Sequence, residues 1–217
     1  AEILLGLELT PHIPFKSDHC GTCRRCLEVC PTQCILPDRT IDASRCISYL
    51  TIELKTAIPH DLRPALGNWV FGCDLCQQVC PWNIRFAAQP VSRTTPVDER
   101  FAPRPTIPFP DLHQELTLTP EQFNRKFKGS PLKRTKRRGY LRNVAVALGN
   151  LGYPTSTPVL SRALLTDAEP LVRTHCAWAL GAIGTSAAHQ ILTQTEQAEE
   201  DNAVLAEIRR ALSKISK

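Results

Sequence analysis

The stretch Cys20-Gly21-Thr22-Cys23-Arg24-Arg25-Cys26-Leu27-Glu28-Val29-Cys30-Pro31 decides how this chain is read. Its four cysteines are separated by two, two and three residues, and a proline follows the last. Three thiolates on one tight loop can reach three corners of an iron–sulfur cubane. The fourth cysteine points away from that loop and serves a second cluster. Pro31 is expected to begin the next helix and to divert the chain.

A second, shorter copy stands at Cys73, Cys76 and Cys80, again followed by a proline, Pro81. By the first pattern another cysteine belongs at position 70, which is Val70. Cys46, in the polar setting Ser44-Arg45-Cys46-Ile47-Ser48, is the substitute. Pseudo-twofold exchange then gives two ligand sets: Cys20, Cys23, Cys26 and Cys80 for one [4Fe–4S] cluster, and Cys30, Cys46, Cys73 and Cys76 for the other. Zinc also uses paired cysteines, but it favours two separated pairs and four ligands in all. A disulfide framework requires export, and the opening residues lack a basic start and a cleavage site.

Cys34 and Cys176 are left over. Cys34 is expected to pack as a small apolar residue beside a cluster, and Cys176 to lie in a helical core. His19 adjoins Cys20 and is either a tuning group or a surface turn residue; the other histidines are isolated in the sequence. No nucleophile–base arrangement, glycine-rich phosphate loop or spaced carboxylate pair is present, so any catalysis has to come from a cofactor.

Composition divides the remainder. Residues 18–80 hold nine of the ten cysteines, and residues 87–120 hold seven of the eighteen prolines, which predicts an extended connector. From residue 121 the pattern is helical and repeats. Ala147-Leu148-Gly149 with Gly152 recurs 32 residues later as Ala179-Leu180-Gly181 with Gly184, and Ala211-Leu212-Ser213 follows at the same interval. Small residues at that period suit stacked helix pairs of the HEAT kind. The expected fold is α-rich with a small α+β part: residues 1–17 as the remnant of a preceding domain, 18–86 as a two-cluster ferredoxin-like domain, 87–120 as connector, and 121–217 as basic segment plus repeats. The sequence contains no Met and starts in mid-pattern, which predicts a C-terminal portion of a longer, cytoplasmic protein. No apolar run reaches the ~18 residues of a membrane span.

The net charge of +5 is uneven. Residues 120–142 carry nine Lys/Arg against one Glu. Such a block predicts a polyanionic partner, with Arg125, Lys126, Lys128, Lys133, Arg134, Lys136, Arg137, Arg138 and Arg142 as candidate phosphate contacts. Phe127 and Tyr140 are either base-stacking residues or core anchors. Charge does not distinguish RNA from DNA.

Together, Asp18-His19-Cys20-Gly21-Thr22-Cys23, Cys30-Pro31-Thr32, Arg45 through Glu53, Gly72-Cys73-Asp74, Cys80-Pro81-Trp82-Asn83 and Gly129-Ser130-Pro131 through Ala145 resemble the epoxyqueuosine reductase family. The resemblance implies reduction of epoxyqueuosine to queuosine in a tRNA anticodon loop, with electrons passing through two clusters to cobalamin. It places cobalamin contacts at Ser48, Cys73 and Asp74, and Lys55 near the tRNA. It implies a monomer fed by a flavodoxin- or ferredoxin-type donor, with no catalytic residue in this chain, because the proton donor belongs to an N-terminal domain. Other readings are a ferredoxin-type carrier with a repeat docking arm, a reductive dehalogenase relative, and an RNA-binding scaffold with structural clusters.

Overall fold

The computed structural model describes residues 3–13, 19–87, 107 and 109–215. Five of the connector prolines (Pro90, Pro96, Pro103, Pro105 and Pro108) lie outside them. Residues 3–13 contain neither helix nor strand.

The cysteine-rich part consists of short helices: α1 (Arg25–Val29), α2 (Ile47–Ile52), α3 (Leu75–Gln78) and α4 (Pro81–Ala87). The expected α+β component shrinks to one antiparallel bridge, Ile35 with Ile41, among the described residues. Cysteine loops leave too few consecutive extended residues for a longer ladder.

Two further short helices, α5 (Leu112–Leu116) and α6 (Pro120–Lys126), precede the repeats. Thus the described end of the expected extended connector is helical. Asp111 caps α5 by accepting from His113 N. A capping box starts α6: Thr119 accepts from Gln122 N, the Gln122 side chain accepts from Thr119 N, and Pro120 holds the first turn.

The repeats are α7 (Lys136–Leu151), α8 (Thr157–Thr166), α9 (Pro170–Ile183), α10 (Ser186–Glu196) and α11 (Asn202–Ile215). α7 and α9 end at Gly152 and Gly184, with φ of 69° and 67°, a left-handed conformation that suits glycine. α9 packs between α7 and α11, while α8 and α10 form the outer layer. The 32-residue period is a contact period: Gly149 lies against Ala179, and Gly181 lies against Ala211. A methyl group added at Gly181 would stand 2.6 Å from Ala211 Cβ, so the helices approach at the limit glycine allows. Cys176 is fully buried in this core, as expected.

The cysteine-rich part has a small core of its own: Ile47, Leu50, Ile58, Leu62 and Leu66. Val146 of α7 completes it, and Trp178 of α9 packs against it. Polar contacts reinforce this junction. His175 Nε2 accepts from Ile58 N at 3.2 Å, and Asn150 donates to the carbonyls of Arg63 and Gly67. Buried Arg63 pairs with Glu207 of α11 at 3.0 Å.

Candidate metal centre and basic face

Gly21, with φ of 52°, turns the first loop so that Cys23 N reaches Cys20 O at 3.0 Å. α1 then carries Cys26 and ends at Cys30. The spacing predicted a helix beginning at Pro31, and none begins there. Pro31 enters a turn closed by Gln33 N donating to Cys30 O, which sends the chain toward Cys34. The proline of the second motif, Pro81, does start a helix.

Three independent ties gather Cys30, Cys46, Cys73 and Cys76. Asp42 N donates to Cys34 O, and Arg45 Nε donates to Thr32 O, so the loop before Cys46 lies on the loop after Cys30. Ser48 Oγ accepts from Cys73 N at 3.0 Å and donates to Cys73 O at 3.2 Å. Cys73 and Cys76 follow one another into α3. Burial raises the Cys73 thiol pKa first, and the charges of Cys46, Cys76 and Cys30 add to it, against a backbone hydrogen bond from Leu75. Burial raises Cys76 in the same direction, and positive charge beside these two thiols, which iron supplies, would favour their ionised form. The other set is drawn together by the packing of α1 on α3 and by Trp82 Nε1 donating to His19 O at 3.3 Å. That bond brings the Cys80 end of the second motif to Cys20. His19 also meets the Trp82 ring edge-on, at 5.8 Å between centroids.

Among the described residues, no three His, Cys, Asp or Glu side chains close on one point as ligands of a single ion do. Cys34 is buried, with Sγ 3.4 Å from Cys30 Sγ. Burial and the neighbouring Cys30 push its thiol pKa up to about 12, so it stays protonated and packs. Position 70 turns the other way from the cysteines. Val70 packs on the repeat core, and its carbonyl accepts from Asn143.

The candidate cobalamin contacts Ser48, Cys73 and Asp74 are contiguous in space at this second set. Asp74 is exposed at the start of α3, whereas Ser48 is committed to the Cys73 backbone.

The basic segment splits into two groups. Arg125, Lys128, Lys133, Arg134 and Lys136 are exposed, as is Lys55, and Arg138 is half-buried. Lys55 Nζ donates to Arg134 O at 2.9 Å, and Arg134 pairs with Glu53. The exposed cations therefore begin at the far end of α2 from Cys46.

Three other cations are structural, which corrects their assignment as phosphate contacts. Arg142 is fully buried and donates to the carbonyls of Leu50, Leu54 and Thr56. Arg137 forms a two-pronged pair with Asp167 and donates to Leu118 O. Lys126 pairs with buried Glu115. Phe127 and Tyr140 are core anchors: they stack edge-on at 5.1 Å, and Tyr140 donates to Glu115. Sequence reasoning missed Asn143, Thr51 and His175. The available signal was a polar pair, Arg142-Asn143, embedded in the apolar run from Tyr140 to Leu148.

Fold and site together define a two-cluster iron–sulfur module seated on a helical repeat array. Residues 19–83 match the 4Fe-4S double cluster binding domain family, and residues 134–213 match HEAT repeats. Several curated relatives are epoxyqueuosine reductases. That of Cyclobacterium marinum is 49% identical over 146 residues, covering 66% of this chain and 43% of the relative. That of Escherichia coli is 41% identical over 180 residues, covering 82% and 45%. Among solved structures, an epoxyqueuosine reductase with an epoxyqueuosine-modified tRNA-Tyr stem loop superimposes with a TM-score of 0.83 at 30% identity, covering 96% of this chain and 53% of that one. The Bacillus subtilis enzyme gives 0.82 at 30% identity, covering 95% and 53%. The chain thus spans about half the length of the curated relatives it matches. Among the described residues, no helix is long and apolar enough to cross a membrane.

Proposed function

We propose that this chain is the electron-delivering and RNA-holding portion of an epoxyqueuosine reductase, acting on epoxyqueuosine in a tRNA anticodon loop. Cys20, Cys23, Cys26 and Cys80 hold one [4Fe–4S] cluster, and Cys30, Cys46, Cys73 and Cys76 hold the other. Such clusters supply one-electron reducing chemistry, and cobalamin would supply the reactive metal. Ser48 and Asp74 flank the second set and would orient a corrin against it. A flavodoxin- or ferredoxin-type protein would provide the electrons. Lys55, Arg125, Lys128, Lys133, Arg134, Lys136 and Arg138 would neutralise the stem phosphates.

One observation carries the reading: α2 joins the two functions. Its first turn holds Cys73 through Ser48, and just beyond its last turn Glu53 and Lys55 are bonded to Arg134. An RNA held on the exposed cations would therefore lie beside the second cluster. A ferredoxin-type carrier with a repeat docking arm shares the clusters but has no use for this adjacency.

The test is anaerobic purification with cobalamin offered, followed by iron, sulfide, zinc and cobalt analysis. About eight iron and eight sulfide per chain are expected for two cubanes. Charge reversal at Lys133, Arg134 and Lys136 should remove binding to a tRNA stem loop and flatten its salt dependence. Zinc in place of iron, or affinity unchanged across a salt series, would overturn the proposal.

A further inference from the structure

The loops that carry Cys46 and Cys73 are not held together by the cysteines alone. Three side chains cross between α2 and residues 70–73. Ser48 bonds the backbone of Cys73. Thr51 Oγ1 accepts from Gly72 N at 3.0 Å and donates to Ile47 O at 2.7 Å. Asn143, from α7, donates one amide proton to Thr51 O and the other to Val70 O, each at 2.8 Å. The amide of Asn143 has no freedom to rotate. Its Oδ1 accepts from Arg142 Nε and Nη2 at 3.0 and 2.9 Å, so a flipped amide would set donors against donors. Asn143 is fully buried, and every hydrogen-bonding position of its side chain that faces the protein is used. Arg142 is held in turn by three carbonyls at the end of α2 and just beyond it.

We propose that Asn143 and Thr51 are positioning residues for the second cluster. They fix the separation of the Cys46 and Cys73 loops from the repeat side, so that α7 acts as the outer shell of the redox centre. The inference rests on the assignment of Cys30, Cys46, Cys73 and Cys76 to one cluster. Outer groups of this kind orient the ligands and set how tightly the metal is held and at what potential. Val70, Gly72 and Thr51 lie within five residues of a ligand cysteine on either leg, so slack at these bonds reaches the thiolates directly. Apart from the bonds between Arg142 and Asn143 themselves, the bonds of these two α7 residues run to Leu50, Thr51, Leu54, Thr56 and Val70, on the side of the second set.

The experiment uses the whole chain, purified anaerobically, with Thr51→Val, Thr51→Ser and Asn143→Leu. Thr51→Val keeps the shape and removes the acceptor for Gly72 N, while Thr51→Ser restores it. Potentiometric titration followed by electron paramagnetic resonance resolves the two clusters, and Cys46→Ser and Cys20→Ser identify which signal belongs to which. Iron release to a chelator gives a second readout. Thr51→Val and Asn143→Leu are expected to shift only the midpoint removed by Cys46→Ser. They should also speed loss of about half the iron by roughly tenfold or more. Thr51→Ser should behave as the parent. Unchanged midpoints and release rates would overturn the inference, and so would equal shifts in both clusters alongside a lowered melting temperature, which marks general loosening. Parent chain without iron would instead sink the ligand assignment, and the inference with it.

Discussion

Replacing Arg142 by methionine tests whether this cation serves the fold or the proposed RNA contact. The side chain keeps most of its apolar stem, stops short of the guanidinium nitrogens and loses its donors. Carbonyls of Leu50, Leu54 and Thr56 are left without the guanidinium, and Asn143 Oδ1 loses two bonds. The Leu50 carbonyl and Asn143 Oδ1 are buried, and each acceptor so stranded costs about 1–3 kcal/mol, while the part-buried Leu54 and Thr56 carbonyls cost less. Part of this is offset, because no carboxylate among the described residues partners the buried charge. Burial, followed by the charges of Arg138 and Arg63, draws the Arg142 pKa down to about 10. The guanidinium is still protonated at neutral pH, so its desolvation is a standing cost that methionine removes. A net loss of about 3–5 kcal/mol remains. With a urea slope of about 2–3 kcal/mol per M, the unfolding midpoint falls by about 1–2 M. The assay is anaerobic urea unfolding followed by far-UV circular dichroism, paired with stem-loop binding under conditions where both proteins are folded. Affinity should match the parent. A midpoint within about 0.3 M of the parent, together with weakened binding, would refute the reasoning and return Arg142 to the phosphate contacts.

Two further outcomes follow from the same junction and from the repeats. Burial first, then the charge of Arg63, holds the His175 pKa well below its ordinary value, against the hydrogen bond to Leu171 O. The folded chain keeps this imidazole neutral while the unfolded chain protonates it below about pH 6.5. Its stabilising share is therefore complete above that pH and is lost on acidification, by up to about 1.4 kcal/mol per pH unit. His175→Gln should flatten the pH dependence of the melting temperature between pH 6.5 and 5. His60, whose pKa burial also lowers, keeps a smaller slope of the same sign. An unaltered pH profile would show that His175 is not neutral in the fold. Gly181→Ala places a methyl group 2.6 Å from Ala211 Cβ. Overpacking of about 1–3 kcal/mol then exceeds the gain of about 1 kcal/mol in helix propensity, so the melting temperature should fall. Adding Ala211→Gly should recover part of the loss; a melting temperature raised by Gly181→Ala alone would contradict the close stacking.

Spacing made the clusters legible, because cubane chemistry leaves its geometry in the intervals between cysteines. The repeat was legible for a related reason: close helix approach demands a small residue at each crossing, and Gly149 and Gly181 stand one period apart. Charge density was a poorer guide. It marked the basic segment but could not divide it, since the chain passes from an exposed short turn at Pro131–Thr135 into a helix buried on most sides. Arg137 and Arg142 therefore looked like Lys133 and Lys136 in the sequence. Their partners, Asp167 and the end of α2, are 30 and more than 80 residues away. His175 looked isolated for the same reason, as its partner Ile58 is 117 residues distant.

The shared core has a consequence for how such a chain can be recombined. Val146 completes the small core of the cysteine-rich part, and Arg142 and Asn143 answer carbonyls at fixed places along α2 and residues 54–70. A ferredoxin-like unit taken from elsewhere would meet α7 with its carbonyls out of register and leave a buried guanidinium unanswered. The connector between the two parts marks a change in composition, but a crossover placed there would join halves that do not fit. The two parts are expected to be inherited, exchanged and lost together.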